Sequence, residues 1–153
     1  MKRKDFSEAD CPIARTLDLV GEWWSLLVIR DALLGVTRFD DFQQRLGISR
    51  NALTVRLKRL VEGGVLFRRP IIEGGRREEY VLTPMGDDLV TVVGAMLQYG
   101  NRWLAVPGAP VSRMIEAKTG QNVAPVCVRN QDGRPLRRTE VGLVTDAGQP
   151  DSD

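Results

Sequence analysis

The stretch from Phe39 to Val61 constrains the fold of this 153-residue chain more than any other part of it. Its first third has apolar residues at helical spacing, namely Phe39, Phe42 and Leu46. Asp40 is the predicted N-cap of this helix, and Gly47 suits the left-handed residue with which a helix ends. The segment therefore predicts a short helix that stops at a tight turn.

A second helix is predicted directly after this turn. Ser49 can cap it by accepting hydrogen bonds from free backbone N–H groups, and its predicted buried side is Leu53, Leu57, Leu60 and Val61. The opposite side carries Asn51, Val55, Lys58 and Arg59, with Arg50 and Thr54 at its edges. Two helices joined by a glycine turn, the second with a basic outer side, are typical of a helix-turn-helix. Alone, the pattern also fits an ordinary helical hairpin with a solvated charged side.

Positive charge is concentrated around this segment. Residues 45–77 include nine basic and two acidic residues, a net charge of +7; the whole chain carries +2, so the remainder carries −5. A local basic region in an otherwise acidic protein is the footprint expected for contact with a phosphate backbone at one face. This favours double-stranded DNA as the partner.

A β-hairpin is predicted immediately after the second helix. Residues 65–72 and 77–82 are rich in β-forming side chains, and a glycine-containing loop separates them. Pro70 within the first strand indicates an edge strand. Arg76 and Arg77 at the tip could follow phosphates or reach into the minor groove, as the wing of a winged helix-turn-helix does.

Further helices are predicted on both sides of this region. Residues 11–20 form a short helix, and residues 22–34 are apolar nearly all round, which predicts a helix buried on most sides. Thr83-Pro84 begins a long helix that runs to about Leu104 and is apolar on one side. Because the preceding domain is small and already has a central helix, we predict that this surface meets a second subunit.

The predicted fold class is α+β, a winged helix-turn-helix with N- and C-terminal dimerisation helices plus a small C-terminal β-meander. The predicted DNA-binding and dimerisation domain is 1–105, the extension is 106–146, and the disordered tail is 147–153. The meander is expected from alternating segments separated by turn sequences, at residues 114–118, 123–128 and 136–144.

Composition argues against several classes of protein. No apolar run approaches the roughly 20 residues of a membrane span, and the N-terminus lacks the apolar region of a signal peptide. The absence of histidine removes His-based triads and most catalytic zinc sites. Cys11 and Cys127 form no disulfide framework. We therefore expect a cytoplasmic protein that is not an enzyme and needs no cofactor.

With these pieces placed, the chain resembles the HxlR family of bacterial transcription regulators, winged-helix proteins related to the MarR group. The resemblance implies a homodimer in which the first and last helices form the interface and two recognition helices enter successive major grooves. The matching residues are Cys11-Pro12, Gly21-Glu22-Trp23-Trp24, Leu27, Arg30-Asp31, Gly35, Arg38-Phe39-Asp40-Asp41-Phe42, Leu46-Gly47-Ile48, Arg50-Asn51, Leu53-Thr54, Arg56-Leu57, Leu60, Gly63-Gly64, Tyr80, Leu82-Thr83-Pro84, Gly86 and Trp103.

The predicted activity is sequence-specific binding to a pseudo-palindromic operator, most simply to repress transcription. The candidate base readers are Arg50, Asn51, Thr54, Val55, Lys58 and Arg59. The candidate contacts to phosphates or the minor groove are Arg38, Ser49, Arg76 and Arg77.

Two kinds of signal remain open. In the family, a cysteine at the position of Cys11 often senses oxidants or electrophiles, and a helix N-terminus favours the reactive thiolate. The alternative is a ligand-gated regulator in which Cys11 is structural and the C-terminal meander is a protein-interaction module. A small apolar or aromatic effector would then bind near Trp23, Trp24 and Trp103, although these tryptophans also suit core packing.

The C-terminal extension bears on metal binding. Some family members are similar here to a small ribbon with paired cysteines around two turns, whereas this chain has only Cys127. One thiolate and no histidine cannot supply four zinc ligands, so we expect no metal site.

Overall fold

The structure is a computed structural model that describes residues 5–73 and 75–144. The chain divides into two compact units between Met96 and Leu97, and each unit is described by itself. The elements are α1 Pro12–Val20, α2 Trp23–Leu33, α3 Phe39–Leu46, α4 Arg50–Glu62, β1 Leu66–Pro70, β2 Glu78–Leu82, α5 Pro84–Asp87 and α6 Val90–Trp103. This order confirms the predicted α+β class and the winged helix-turn-helix.

The turn between α3 and α4 forms as the sequence predicts. Gly47 ends α3 in the left-handed conformation, with φ 62° and ψ 21°, which glycine adopts without a Cβ clash. The Ser49 hydroxyl accepts a 3.3 Å hydrogen bond from the Ala52 N–H and caps α4. The predicted cap of α3 is wrong, since Arg38 is its N-cap. Asp40 lies inside the first turn, where its negative charge interacts favourably with the positive end of the helix dipole but makes no capping hydrogen bond.

The hydrophobic core of the first unit lies between α2 and α4. Its buried residues are Val20, Val28, Ile29, Phe42, Ile48, Leu53, Leu57, Leu60, Val65 and Leu66. The prediction that α2 is buried on most sides is confirmed, since every residue from Trp24 to Leu33 except Arg30 is buried or half-buried. Only the first residue departs strongly from it, as Trp23 is 86% exposed. α3, α4 and β2 pack against α2, and the core-facing side carries Val28 and Ile29.

One carboxylate is fully buried beside this core. Asp31 accepts a 2.9 Å hydrogen bond from Arg30 Nε and a 3.2 Å hydrogen bond from Arg45 Nε, one to each carboxylate oxygen. Since Arg45 lies on α3, this carboxylate joins α2 to α3. Burial of the charge is tolerated because both oxygens have cationic donors.

The hairpin is joined to the helix-turn-helix by a backbone contact. β1 and β2 pair antiparallel, with Pro70 opposite Glu78 at the end nearest the loop, and both strands are shorter than predicted. The Tyr80 N–H donates a 2.7 Å hydrogen bond to the carbonyl of Thr37, just before α3. The hairpin is thereby fixed beside the helix pair.

The helix predicted to start at Thr83 is capped as expected but interrupted. The Thr83 hydroxyl accepts a 3.1 Å hydrogen bond from the Gly86 N–H. The Leu89 N–H then bonds the Gly86 carbonyl three residues back, a tighter turn that separates α5 from α6. A Cβ on Gly86 would clash with the Val65 carbonyl oxygen, so only glycine allows α5 to pack this closely on the residue before β1.

The second unit contains the end of α6 and the C-terminal extension. Within the residues described there, the predicted β-meander is wrong: the segments form two turns, at Gly120 and Gly133, and a 3-10 turn at Arg138–Glu140. Each reversal follows too soon for strands to extend, and mostly exposed side chains offer no buried face to fix a longer register. The isolated bridges are Ile115 with Asn122 and Arg129 with Pro135. The predicted tail, 147–153, lies outside the described residues.

Amide side chains of α6 bind the extension within this unit. Gln98 brackets the backbone of Val126, accepting from its N–H at 2.9 Å and donating to its carbonyl at 3.3 Å. Asn101 donates to the Ser112 carbonyl at 2.7 Å. Side-chain bonds thus hold a segment that has little strand pairing of its own.

We expect Asp31→Asn to destabilise the protein by about 3 kcal/mol, the low end for breaking a buried ion pair, because both arginine partners are about half exposed and can be resolvated. Urea unfolding followed by circular dichroism measures the change. Glu62→Gln breaks the exposed pair with Lys58 and should leave the midpoint unchanged. Equal effects of the two substitutions would show that Asp31 has no special structural role.

Candidate nucleic-acid interface

The outer side of α4 presents polar and small side chains to solvent. Leu53, Leu57 and Leu60 are fully buried on the inner side and fix which way the helix faces. The exposed residues include Arg50, Asn51, Thr54, Val55 and Lys58, as the sequence predicts. This surface has the hydrogen-bonding groups and the apolar contact that base edges in a major groove require.

Two of these residues already have partners within the helix. The Thr54 hydroxyl donates a 2.8 Å hydrogen bond to the Arg50 carbonyl, so its donor is engaged while its methyl group and oxygen lone pairs remain for an external contact. Lys58 lies 3.6 Å from Glu62, and both side chains are well exposed. Such an exposed pair is weak and is readily exchanged for a phosphate or a base.

Arg59 is a correction to the predicted base readers. Its guanidinium turns inward and donates 2.7 Å hydrogen bonds to the carboxylate and the carbonyl of Asp18 on α1. Arg56, one turn earlier, also faces inward, 3.4 Å from Glu22. These positions lie on the flank of α4 towards α1 and the start of α2, so helical spacing alone misplaced Arg59.

The stem of the hairpin carries paired charges. Arg68 lies 3.2 Å from Glu78, and Arg69 lies 2.7 Å from Glu79. The Arg69 guanidinium and the Thr37 hydroxyl hydrogen-bond the Glu79 carboxylate and hold the pKa of Glu79 below its ordinary value of 4.5. The stem is therefore close to neutral on both faces.

Between residues 38 and 82, four exposed arginines have no ion-pair partner among the described residues: Arg38, Arg50, Arg76 and Arg77. Arg50 lies over the ring of Phe39, with its guanidinium carbon 4.9 Å from the ring centre, which orients the charge without neutralising it. Arg76 and Arg77 lie in the loop between the strands, as predicted, and Arg38 precedes α3. These side chains are the available positive charge of the surface.

The local net charge of the sequence therefore overstates the charge available to a ligand. Six of the nine basic residues between positions 45 and 77 have a carboxylate partner in the structure. Sequence reasoning missed the acidic partners Asp18 on α1, Glu22 at the N-cap of α2 and Asp31 on α2. Only Asp31 had a visible signal, as a carboxylate within an apolar helix.

The proposed signal residues are exposed in different degrees. Cys11 is the exposed N-cap of α1, and no side-chain capping bond is formed there. Trp23 is almost fully exposed and Trp24 packs on the core, whereas Trp103 in the second unit is 63% exposed. Two surface cavities among the described residues, of about 590 and 310 Å³, are lined by side chains other than these tryptophans.

Metal-ligating clusters and membrane-spanning helices are absent from the same residues. Across 5–73 and 75–144, histidine, cysteine, aspartate and glutamate side chains form no cluster of three that could hold a metal ion. None of the described helices is long and apolar enough to cross a bilayer.

An apolar-anchored second helix with an open polar side, followed by a hairpin with arginines in its loop, defines a winged helix-turn-helix protein of the DNA-binding type. The chain belongs to the HxlR-like helix-turn-helix family, whose sequence profile matches residues 19–107. It is accordingly a DNA-binding transcriptional regulator, and the predicted family is confirmed.

Individual relatives agree with this assignment. Rv3095 of Mycobacterium tuberculosis, an uncharacterised HTH-type transcriptional regulator, is 35% identical over 129 residues, 84% of this chain and 82% of that protein. The crystal structure of PA1607, described as a candidate transcription factor, matches with a TM-score of 0.85 and 40% identity over 92% of this chain and 99% of that one. The reduced redox regulator HypR matches with a TM-score of 0.55 and 29% identity over 61% and 96%.

We expect Arg76→Ala to lower DNA affinity similarly for all sequences and to flatten the dependence of log K on log salt by about 0.9 for each phosphate that the arginine neutralises. Fluorescence anisotropy with a labelled duplex at several salt concentrations measures the slope. The double variant Arg69→Gln with Glu79→Gln removes a paired charge and should leave the slope unchanged. Equal flattening in both proteins would contradict the division into paired and available charges.

Proposed function

We propose that this regulator binds a pseudo-palindromic operator sequence-specifically as a homodimer and, most simply, blocks transcription. The observation that carries the proposal is the exposed side of α4, held outward by its buried leucines. Family membership and the adjacent wing support the same conclusion. No catalytic role is proposed for any residue.

The roles of the readers follow from their chemistry. Arg50 can donate two hydrogen bonds to guanine, and Asn51 can pair with adenine through its amide. Val55 is 49% exposed and can contact a thymine methyl group, with Thr54 and Lys58 beside it. Arg59 is not assigned to base recognition, because its guanidinium is hydrogen-bonded to Asp18.

Backbone contacts are assigned to the available charges and to one helix start. Arg38, Arg76 and Arg77 would bind phosphates or enter the minor groove. Ser49 lies at the N-terminus of α4, where free N–H groups and the helix dipole favour an anion. These contacts set the position of the protein on the duplex, whereas the readers set the sequence.

A second copy of the chain is supported by an apolar stripe on α6. Val92, Met96, Tyr99 and Trp103 recur at i, i+4, i+7 and i+11 and are 40%, 52%, 60% and 63% exposed. α1 adds two exposed side chains, Ile13 and Leu17. Exposed apolar side chains at helical spacing suit association with a symmetric partner better than contact with water. The two-fold axis would repeat the reading helix one DNA turn away.

Selection of bound duplexes from a random pool tests this function. We expect enrichment of an inverted repeat with half-sites about one helical turn apart, and light scattering should give twice the monomer mass. Asn51→Ala should relax the choice at one base position in each half-site, at a cost of about 1 to 3 kcal/mol against the wild-type operator.

Two results would argue against it. A strict monomer at micromolar concentration would remove the dimer. Equal loss of binding to operator and scrambled DNA in the Asn51 variant would remove its role in base recognition.

We propose oxidation or electrophile addition at Cys11 as the signal. The thiol is exposed at the positive end of α1, and the structural neighbour HypR is a redox regulator. The alternative keeps Cys11 structural, with a small ligand as the effector and the C-terminal extension as a protein-interaction module. Since the partner is DNA, we place the protein in the cytoplasm.

We expect Cys11→Ser to bind operator DNA like the wild type but to lose most of the response to diamide or peroxide. Anisotropy before and after oxidant measures the response, and Cys127→Ser is the matched control because its thiol is also exposed. A full response in the Cys11 variant would favour the ligand-gated alternative.

A further inference from the structure

The contact between Arg59 and Asp18 joins two helices that are distant in sequence. A single guanidinium nitrogen, Arg59 Nη2, lies 2.7 Å from Asp18 Oδ2 and 2.7 Å from the Asp18 carbonyl oxygen. Asp18 belongs to α1 and is only 9% exposed, and Arg59 belongs to α4. A charge-assisted pair at this distance and burial has a defined geometry, which an exposed ion pair lacks.

The same carboxylate also contacts the segment before α1. Asp18 Oδ1 accepts a hydrogen bond of 3.4 Å from the Phe6 N–H. One turn away on the same flank of α4, Arg56 pairs with Glu22 at the N-cap of α2. The inner flank of the reading helix is therefore tied to the N-terminal helices by two carboxylates, of which Asp18 is the more buried.

Asp18 stabilises the inward position of the Arg59 guanidinium. Its Nε is buried and has no hydrogen-bond partner among the described residues, so the bonds of Nη2 to Asp18 are what compensates the guanidinium there. Without the carboxylate, a long and flexible arginine side chain can move its head group out to water. It would then add a positive charge beside the readers of α4.

We propose that Asp18 is a positioning residue that holds Arg59 off the DNA surface and ties the orientation of α4 to α1. The pair thereby contributes to discrimination between sequences and lowers affinity for unrelated DNA. This inference rests on the proposed sequence-specific binding by α4, and it gives the inward arginine a role in that binding that does not require contact with a base.

Asp18→Asn in the full-length protein tests the proposal, with operator and unrelated duplexes measured side by side. We expect the ratio of operator affinity to unrelated-DNA affinity to fall about tenfold, the size of the effect of one mismatched base pair. Binding to unrelated DNA should become tighter, and its salt slope should steepen by about 0.9 for each Arg59 released to a phosphate.

Asp41→Asn is the matched control for charge. It makes the same chemical change at an exposed position in the first turn of α3. It should raise affinity for both duplexes alike and leave their ratio unchanged. If Asp18→Asn behaves like this control, Arg59 is not held away from DNA by Asp18 and the proposal is overturned.

Arg59→Gln and the double variant Asp18→Asn with Arg59→Gln separate charge release from loss of the tie. Both should lower the affinity ratio, but neither should steepen the salt slope for unrelated DNA, because no guanidinium is released. If a thermal melt shows that the Asp18 variant is not folded, the Arg59→Gln variant decides alone. A ratio of operator affinity to unrelated-DNA affinity equal to that of the wild type would then overturn the proposal. Absence of discrimination in the wild type itself would instead overturn the proposed function.

Discussion

Burial of Leu53, Leu57 and Leu60 on α4 is the interaction on which the rest of this structure depends. Each side chain is fully inaccessible, and burial of one leucine contributes about 1.5 to 3 kcal/mol. Turning the helix by a single residue, about 100°, would expose this stripe. The observed orientation of α4 is therefore favoured over such a rotated one by several kcal/mol. The core therefore decides which side chains face solvent. The ion pairs of Arg56 with Glu22 and of Arg59 with Asp18 then add contacts on the inner flank of α4, whose orientation the leucines already determine.

Internal pairing also changes the meaning of the positive charge in this chain. The stem of the hairpin and the inner flank of α4 have basic residues in sequence but acidic partners in space. The hairpin loop and the start of α4 retain charge without such partners among the described residues. A protein built in this way binds a polyanion at a few points of defined position. Those points suit contact with a regular phosphate backbone, whereas a uniformly basic surface would bind any polyanion.

The parts of the fold that local chemistry determines could be read from the sequence. Gly47, Ser49 and Thr83 act on their immediate neighbours, and each has the conformation or cap that its residue type favours. The inward turn of Arg59 could not be read in this way, because Asp18 lies 41 residues earlier and no local pattern links the two. The C-terminal strands failed for a related reason. Alternation predicts a strand only where a buried face exists to stabilise it, and most side chains there are exposed.

The distribution of charge also bounds how strongly DNA binding can depend on salt. Counting every basic residue from Arg38 to Arg77 as a phosphate ligand gives ten per chain, and a dimer would then have a slope of about −18. Counting only Arg38, Arg76 and Arg77, which are assigned to phosphates and have no ion-pair partner among the described residues, gives three per chain and a dimer slope of about −5. If the outer side of α4 reads base edges as proposed, internal ion pairs shift the balance of binding energy from the DNA backbone to the bases.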